Sequence, residues 1–399
     1  MGERLVDQAY FERDHEAKHK SIPWCDSAAH RIRDDLFVAA MELHKAFIDA
    51  AAKPLRGNLA GLMKAMGSTG GSTFVDRKAS LLTEVWASLF LVVPVLSTTF
   101  ASVERMLGAL PPESLGWLLI DEAGQAIPQA AVGAILRSRR AIVVGDPMQI
   151  EPVVPLPERL TQTICRRFGV DPDKFNAPDA SAQTLADAAT PYMAEFLGRQ
   201  GSRVVGVPLL VHRRCAQPMF GIANAIAYQH LMVHAKEPKE SAIRECLGPS
   251  RWIDVQGSGR DKWCAEEGTV VLEMLRKLAV AGVAPNLYII SPFRVVEENL
   301  SQLLLSSGVL ASMITDPGKW IWEHVGTVHT AQGREAEAVI LVLGAPDSDQ
   351  RNARGWAGGS PNLLNVALTR AQEVAYVVGN RQLWREAGVF NNLDLGMPT

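Results

Sequence analysis

From about residue 90 onward, short apolar runs alternate with stretches of helical periodicity, and that alternation leaves few architectures open. The runs are LVVPVLS, WLLID, AIVVGD, VVGVPLLV, LYIIS, HVGTVHT, AVILVLG and VAYVVGN. Taken together they are rich in β-branched residues, and most are too continuously apolar for a strand with one wet face. Strands of this kind are buried on both sides, and helices between them predict a parallel α/β sheet. A chain of 399 residues can build two such sheets, each with its own core. A polar, proline-punctuated stretch over 169–203 puts the boundary between two α/β units near residue 200. A second segment, APDSDQRNARGWAGGSPN (345–362), is Gly- and Arg-rich and reads as a mobile surface loop.

The first 90 residues have a different texture. Residues 26–53 carry Leu36, Ala39, Ala40, Leu43 and Phe47 at helical spacing, with Asp26 or Ser27 as N-cap. GSTGGST (67–73) then reads as a flexible loop. The longest apolar stretch, VWASLFLVVPVL (85–96), is too short to span a bilayer and contains Pro94. The N-terminus is highly charged and lacks the apolar region of a signal peptide. Cys25, Cys165, Cys215, Cys246 and Cys264 are an odd number without a C-x-x-C pair, which argues against a zinc site or disulfide framework. A cytoplasmic protein with no membrane contact is the expectation. The net charge of −3 gives no global basic signature, so a nucleic-acid surface would have to be a local patch.

Four stretches carry chemistry. In LLIDEAGQAI (118–127) an apolar run ends on Asp121 and Glu122. Ligands sit beyond the carboxyl ends of strands in an open parallel sheet. There, Asp121 could hold Mg²⁺ through water while Glu122 orients or deprotonates a water attacking a γ-phosphate. Alternatively, the two acids complement a helix dipole. In AIVVGDPMQIEPVV (141–154) another strand ends on Gly145, Asp146 and Pro147, with Gln149 just beyond. The glycine permits a tight turn, and Gln149 is a neutral donor and acceptor suited to sensing a phosphate or its attacking water. LLVHRRCAQPMFGIAN (209–224) supplies Arg213 and Arg214, and NVALTRAQ (365–372) places Arg370 on a helix. Arginine matches a γ-phosphoryl group in shape and charge, though either side chain could equally serve a salt bridge. In GTVHTAQGREAEAVIL (326–341), Thr327, His329, Thr330 and Gln332 can donate to sugar and phosphate oxygens without reading bases. Glu335 could accept from a ribose hydroxyl.

Taken in order, DEAGQ, GDPMQ, HRR, SPFRVVEENL (291–300), TVHTAQGRE and NVALTRA resemble the later motifs of superfamily 1 helicases. The 5′-to-3′ branch that includes the nonsense-mediated-decay helicase is the nearest likeness, over about residues 95–380. The resemblance implies two RecA-like parallel-sheet domains of the P-loop NTPase type. Residues 1–90 would be a helical insertion of the first domain, 91–200 its partial core, and 201–399 the second domain. It implies ATP and Mg²⁺ as cofactors and single-stranded DNA or RNA as partner. Asp121 becomes the magnesium residue, Glu122 the water-activating one and Gln149 the coupling glutamine. Arg214 and Arg370 become the γ-phosphate arginines; Arg213 stands where relatives often carry an aromatic residue. Gly145, Asp146, Gln332, Gly333 and Glu335 fall to the nucleotide, with Glu335 on its sugar. Ser97, Thr98, Thr327, His329 and Thr330 fall to a strand lying across both domains.

The family's phosphate loop, G-x-x-x-x-G-K-[ST], does not occur. The sequence has one Gly-Lys pair, Gly318-Lys319, followed by Trp320 with no glycine five residues earlier. The expectation is a chain that begins inside the first domain, its phosphate loop lying upstream or on another chain. The alternative is a non-hydrolysing nucleic-acid-binding or regulatory module.

Overall fold

The computed structural model describes residues 6–22, 26–67, 79–198, 201–237, 239–331 and 333–398. The chain divides into two compact units, Met1–Asp146 with Glu151–Met193, and Pro147–Ile150 with Ala194–Thr399.

The first unit is mostly helical. Its longer helices are α1 (Ser27–Ala50), α2 (Ala52–Gly67), α3 (Ala79–Val92), α4 (Phe100–Leu107), α5 (Pro128–Leu136), α6 (Glu158–Arg167) and α7 (Ala182–Ala189). Asp26 caps α1, its carboxylate accepting from the N–H groups of Ala28 and Ala29. No residue of α1 is buried, and its apolar stripe lies open, with Leu36 69% and Leu43 74% exposed. A small core of Leu62, Leu82, Trp86, Leu107 and Leu110 joins α2, α3 and α4. Strands β1 (Leu118–Ile120) and β2 (Ala141–Val143) pair in parallel, Leu119 opposite Ile142. One face of that pair packs Ile120 against Ala123, Ala131 and Ala182. The other leaves Leu119 70% and Ile142 45% exposed.

The second unit is built on a five-stranded parallel sheet of order β11-β10-β12-β13-β7, where β7 is Arg251–Asp254, β10 Leu287–Ser291, β11 Val325–Thr327, β12 Ala336–Val342 and β13 Ala371–Gly379. Short two-stranded pairs surround it: β3 (Ala194–Gly198) with β4 (Gly201–Val205), β5 (Val211–His212) with β6 (Val233–His234), and β8 (Gly259–Arg260) with β9 (Trp263–Cys264). Its helices include α8 (Met219–Ala227), α9 (Ala242–Leu247), α10 (Ala265–Ala281), α11 (Arg294–Ser307), α12 (Pro317–His324), α13 (Arg351–Gly358), α14 (Pro361–Thr369) and α15 (Phe390–Gly396). Strands β12 and β13 are buried almost throughout, as continuous Val- and Ile-rich runs between helices require. Two indole N–H groups lock the sheet's carboxyl end, Trp252 donating to Gly379 O at 3.0 Å and Trp384 to Gly344 O at 2.8 Å.

Three sequence expectations need correction. LVVPVLS is not a strand: α3 takes Leu91 and Val92, and residues 93–99 are irregular, because Pro94 can neither continue the helix nor donate to a ladder. VVGVPLLV is not one strand either. Its ends fall in the antiparallel β4 and the two-residue β5, separated by an irregular stretch containing Pro208. Residues 345–362 are largely helical rather than a loop. The buried Arg354 guanidinium donates to the carbonyls of Ala345, Asp347 and Ser348, turning a polar run into a fixed corner. Residues 68–73 of the glycine-serine loop and Cys25 lie outside the described residues. Among the described residues no helix is long and apolar enough to cross a membrane.

Glu267, on the first turn of α10, is fully buried, and its Oε2 accepts from Gly344 N–H at 2.8 Å. Its Oε1 has no hydrogen-bond partner among the described residues. Burial pushes its pKa up from 4.5 to about 8. Between those values the folded chain holds a proton that the unfolded chain has released. The resulting stability is full below about pH 4.5 and fades as pH rises through about 8. Glu267→Gln should flatten this decline, read as urea midpoints across that range; parallel curves for the two proteins would show that the carboxyl is not protonated.

Candidate functional site

In the first unit the two acidic motifs meet backbone to backbone. After β1 the chain turns at Glu122, whose φ of +52° is a left-handed conformation costing a non-glycine residue about 1–2 kcal/mol. The turn is pinned by Ala123 N–H donating to Val144 O at 3.0 Å and Glu122 N–H donating to Asp121 Oδ1 at 2.9 Å. Gln125 Nε2 donates to Glu122 Oε2 at 3.0 Å, which fixes the carboxylate's direction. Asp121 is exposed and Glu122 half-buried, so both remain open to a ligand at the carboxyl end of β1. The turn after β2 presses against this one: a Cβ at Gly145 would stand 2.8 Å from Gly124 N and 3.0 Å from Ala123 N. Only glycine permits that approach.

Gln183 belongs to the same place and escapes a reading of the sequence. A Cβ at Gly145 would also meet Gln183 Oε1 at 2.8 Å. That oxygen is buried with no hydrogen-bond partner among the described residues, while Nε2 donates to Asp187 at 2.9 Å. Ala182 N–H, one residue earlier, donates to Ala126 O at 2.9 Å and ties α7 to the acidic turn. The available signal is Ser181-x-x-Thr184, a reciprocal cap that starts α7 inside a stretch otherwise read as a connector.

The second unit gathers the arginines at the amino ends of β12 and β13. Ala336 N–H donates to Arg370 O at 3.1 Å, so residues 334–336 and 370–372 run side by side. Arg370, at the end of α14, is 1% exposed; its Nη1 donates to Arg334 O at 3.0 Å and its Nε to Val366 O at 3.3 Å. Arg214 is exposed and reaches in from the loop after β5, its Nε 3.0 Å from Glu335 Oε2. Gln372 Nε2 donates to Glu335 Oε1 at 2.9 Å, and Gln372 O accepts from Ala216 N–H at 2.9 Å. Three of the residues expected at a nucleotide, Arg214, Glu335 and Arg370, therefore share one end of one sheet. Gln372 joins them without having been expected. Gly333 has the left-handed φ of +77° with open space around it. Gln332 lies outside the described residues.

The GDPMQ motif is divided between the units. Gly145 and Asp146 stay with the first, whereas Pro147–Ile150 join the second. There Asn365 Nδ2 donates to Met148 O at 2.9 Å, Asn362 donates to Gln149 O, and Ile150 packs on the main core.

Thr327, His329 and Thr330 sit at the opposite end of the second sheet from the arginines. Thr327 closes β11 level with Ser291, and Thr330 caps the turn, its hydroxyl donating to Thr327 O at 2.9 Å. His329 is an exposed residue, yet partial desolvation lowers its pKa, leaving the imidazole neutral at pH 7. In the first unit Ser97 and Thr98 are exposed on the irregular segment before α4, Thr98 Oγ1 lying 3.2 Å from Met106 Sδ.

Residues 88–155 and 204–382 each match an AAA domain family model. The chain is 25% identical over 285 residues to the regulator of nonsense transcripts 1 homolog of Drosophila melanogaster, covering 69% of this chain and 22% of that protein. It is 24% identical over 292 residues to an uncharacterized ATP-dependent helicase of Methanocaldococcus jannaschii, covering 70% and 38%. The crystal structure of the arterivirus nonstructural protein 10 helicase matches 66% of this chain and 39% of its own, with 14% identity and a TM-score of 0.31. The chain spans between about a fifth and two fifths of the length of the two relatives. Both matched families are AAA domains, and one of the two relatives is by name an ATP-dependent helicase.

The contact at Gly145 can be tested directly. Gly145→Ala should destabilise the first unit by about 1–3 kcal/mol, since the methyl group meets backbone nitrogens that cannot move aside cheaply. Thermal unfolding would show it, and an unchanged midpoint would mean the two turns are not in contact.

Proposed function

We propose that this superfamily 1 helicase relative is motor machinery of an ATP-dependent nucleic-acid helicase or translocase in the cytoplasm, built on two RecA-like domains. Residues 91–200 carry the first RecA-like core, residues 1–90 a helical insertion into it, and residues 201–399 the second core. The observation that carries the reading is the convergence of Arg214, Glu335 and Arg370 on the amino ends of β12 and β13. One exposed guanidinium on a carboxylate, with a second, buried guanidinium at the same end of the sheet, suits a ligand with both phosphates and hydroxyl groups.

In this reading Glu122 takes the proton of a water whose oxygen attacks the γ-phosphorus, while the bond to the β-phosphate oxygen breaks and ADP leaves. Its strained backbone and the Gln125 contact hold the carboxylate ready for that proton. Asp121 supplies a hard, exposed oxygen donor that fits Mg²⁺. No group of three or more His, Cys, Asp or Glu residues converges among the described residues, so the ion would be completed by phosphate oxygens and water. When bound, it neutralises phosphate charge. Gln149 reports on the attacking water, Gly145 and Asp146 shape the loop beside it, and Gln332 with Gly333 borders the nucleotide.

The β- and γ-phosphates also need a glycine-lysine cradle, which this sequence lacks. Another segment of the motor or another chain supplies it. A single strand of DNA or RNA is the track, gripped by Ser97 and Thr98 on one unit and by Thr327, His329 and Thr330 on the other. Hydroxyl and imidazole donors of this kind contact backbone without reading sequence.

Hydrolysis of ATP stimulated by a single strand is the direct test. If the 399-residue chain turns ATP over, Glu122→Gln should abolish turnover by at least about a hundredfold while leaving nucleotide binding in place. Survival of turnover in that variant would remove Glu122 from its role. Strand binding without turnover would mean that hydrolysis needs residues supplied by another segment of the motor or by another chain. The lowered pKa of His329 gives a second test: its imidazole gains charge only below about pH 6.5, and a cation favours phosphate. Strand affinity should therefore rise as pH falls below that value, and His329→Gln should remove the rise in a fluorescence-anisotropy titration.

A further inference from the structure

Glu335 is already engaged on both oxygens. Oε2 faces Arg214 Nε at 3.0 Å and Oε1 accepts from Gln372 Nε2 at 2.9 Å. A carboxylate so occupied has its best acceptor directions filled, and an arginine whose Nε edge is taken has lost one of its two forked faces for phosphate. Both side chains are nearly half exposed, 41% for Arg214 and 46% for Glu335, so a ligand can reach the pair and breaking it costs little.

We propose that Arg214 and a nucleotide sugar hydroxyl compete for Glu335, which Gln372 holds in place, so that phosphate capture by Arg214 and sugar capture by Glu335 occur as one exchange. This rests on reading Arg214 as a γ-phosphate arginine. Before exchange the carboxylate is neutralised by the guanidinium. Afterwards the guanidinium faces the γ-phosphate and the carboxylate accepts from the sugar, so every charged group keeps a partner throughout. A ligand offering phosphate alone must break the pair and strands the carboxylate. One offering a sugar without a γ-phosphate leaves Arg214 with no anion to move to. The arrangement thus selects nucleoside triphosphates over either half of the molecule.

Gln372 is the positioning residue of the device. Its side-chain amide holds Glu335, and its backbone carbonyl holds Ala216 N–H, two residues from Arg214. It sets both partners of the pair and touches neither phosphate nor sugar.

The experiment compares ATP and inorganic tripolyphosphate as ligands of the full chain, each with Mg²⁺, by isothermal calorimetry. Glu335→Gln frees Arg214, and since exposed ion pairs contribute little, tripolyphosphate should bind about two- to fivefold more tightly. ATP should gain less or lose affinity, because the charged acceptor for its sugar is gone. Gln372→Leu, which removes only the supporting amide, should move the two ligands in the same directions, and it decides the case should Glu335→Gln not fold. Unchanged tripolyphosphate affinity in folded Glu335→Gln, with ATP still bound by wild type, overturns the exchange but leaves the nucleotide reading standing. Absence of any triphosphate binding by wild type overturns both.

Discussion

The pairing of β12 with β13 is the constraint on which the second unit's chemistry depends. One ladder bond, Ala336 N–H to Arg370 O, brings together two segments that the sequence separates by more than thirty residues. Once that register is set, Glu335 and Gln372 must face each other, and the Arg370 guanidinium falls against Arg334 O. The strands themselves are held by burial rather than by the site. Val339, Ile340, Leu341, Val377 and Val378 are all essentially without solvent contact. A slip of one residue in either strand would exchange these side chains between the sheet's two buried faces and disrupt the packing on both, so the core enforces the alignment seen at the strands' amino ends.

Much of this was legible because the motifs are strong local signals placed at strand ends. An apolar run ending on Asp121 and Glu122, and another ending on Gly145, define strand–turn units whatever else the chain does, and β1 and β2 stand where those runs predict. The continuous runs LYIIS, AVILVLG and VAYVVGN likewise became buried parallel strands. Contacts created by long-range register were not legible. Gln372 sits beside Glu335 across a strand pair, and Gln183 meets the acidic turn from a helix in a polar stretch. Neither side chain announces itself by type or spacing. Arg354 deceived for a related reason. Gly and Arg in number suggest a solvated loop, but one guanidinium satisfying three carbonyls makes the segment part of the core's boundary.

Among the described residues of the first unit, β1 and β2 pair only with each other. Such strands ordinarily need apolar cover on both faces. Here Ile120 has it and Leu119 does not. Leaving a leucine side chain largely in water forgoes about 1.5–3 kcal/mol of burial. What holds the pair is concentrated on the opposite face and in the backbone. The Ile120, Ala123, Ala131 and Ala182 cluster, with the glycine-to-glycine approach of residues 124 and 145, keeps the acidic turn in shape. The carboxylates are therefore positioned by small residues at close range, which explains why alanine and glycine dominate DEAGQA.

The second sheet keeps its two candidate functions at opposite ends. Thr327 is level with Ser291 at the carboxyl end, whereas Glu335 precedes the first residue of β12. The segment between them must run back past about six strand residues, roughly 20 Å at 3.3 Å per residue. Arg334 anchors that return, its guanidinium donating to Glu323 O on α12 at 2.7 Å while its carbonyl accepts from Arg370. Helix α12 leads directly into β11 and so to Thr327. Glu335 thus adjoins a residue bonded at once to the buried arginine and to the helix that leads into the Thr327 turn. The two ends are joined through hydrogen bonds to secondary-structure elements, so a shift at one end has a contiguous physical route to the other.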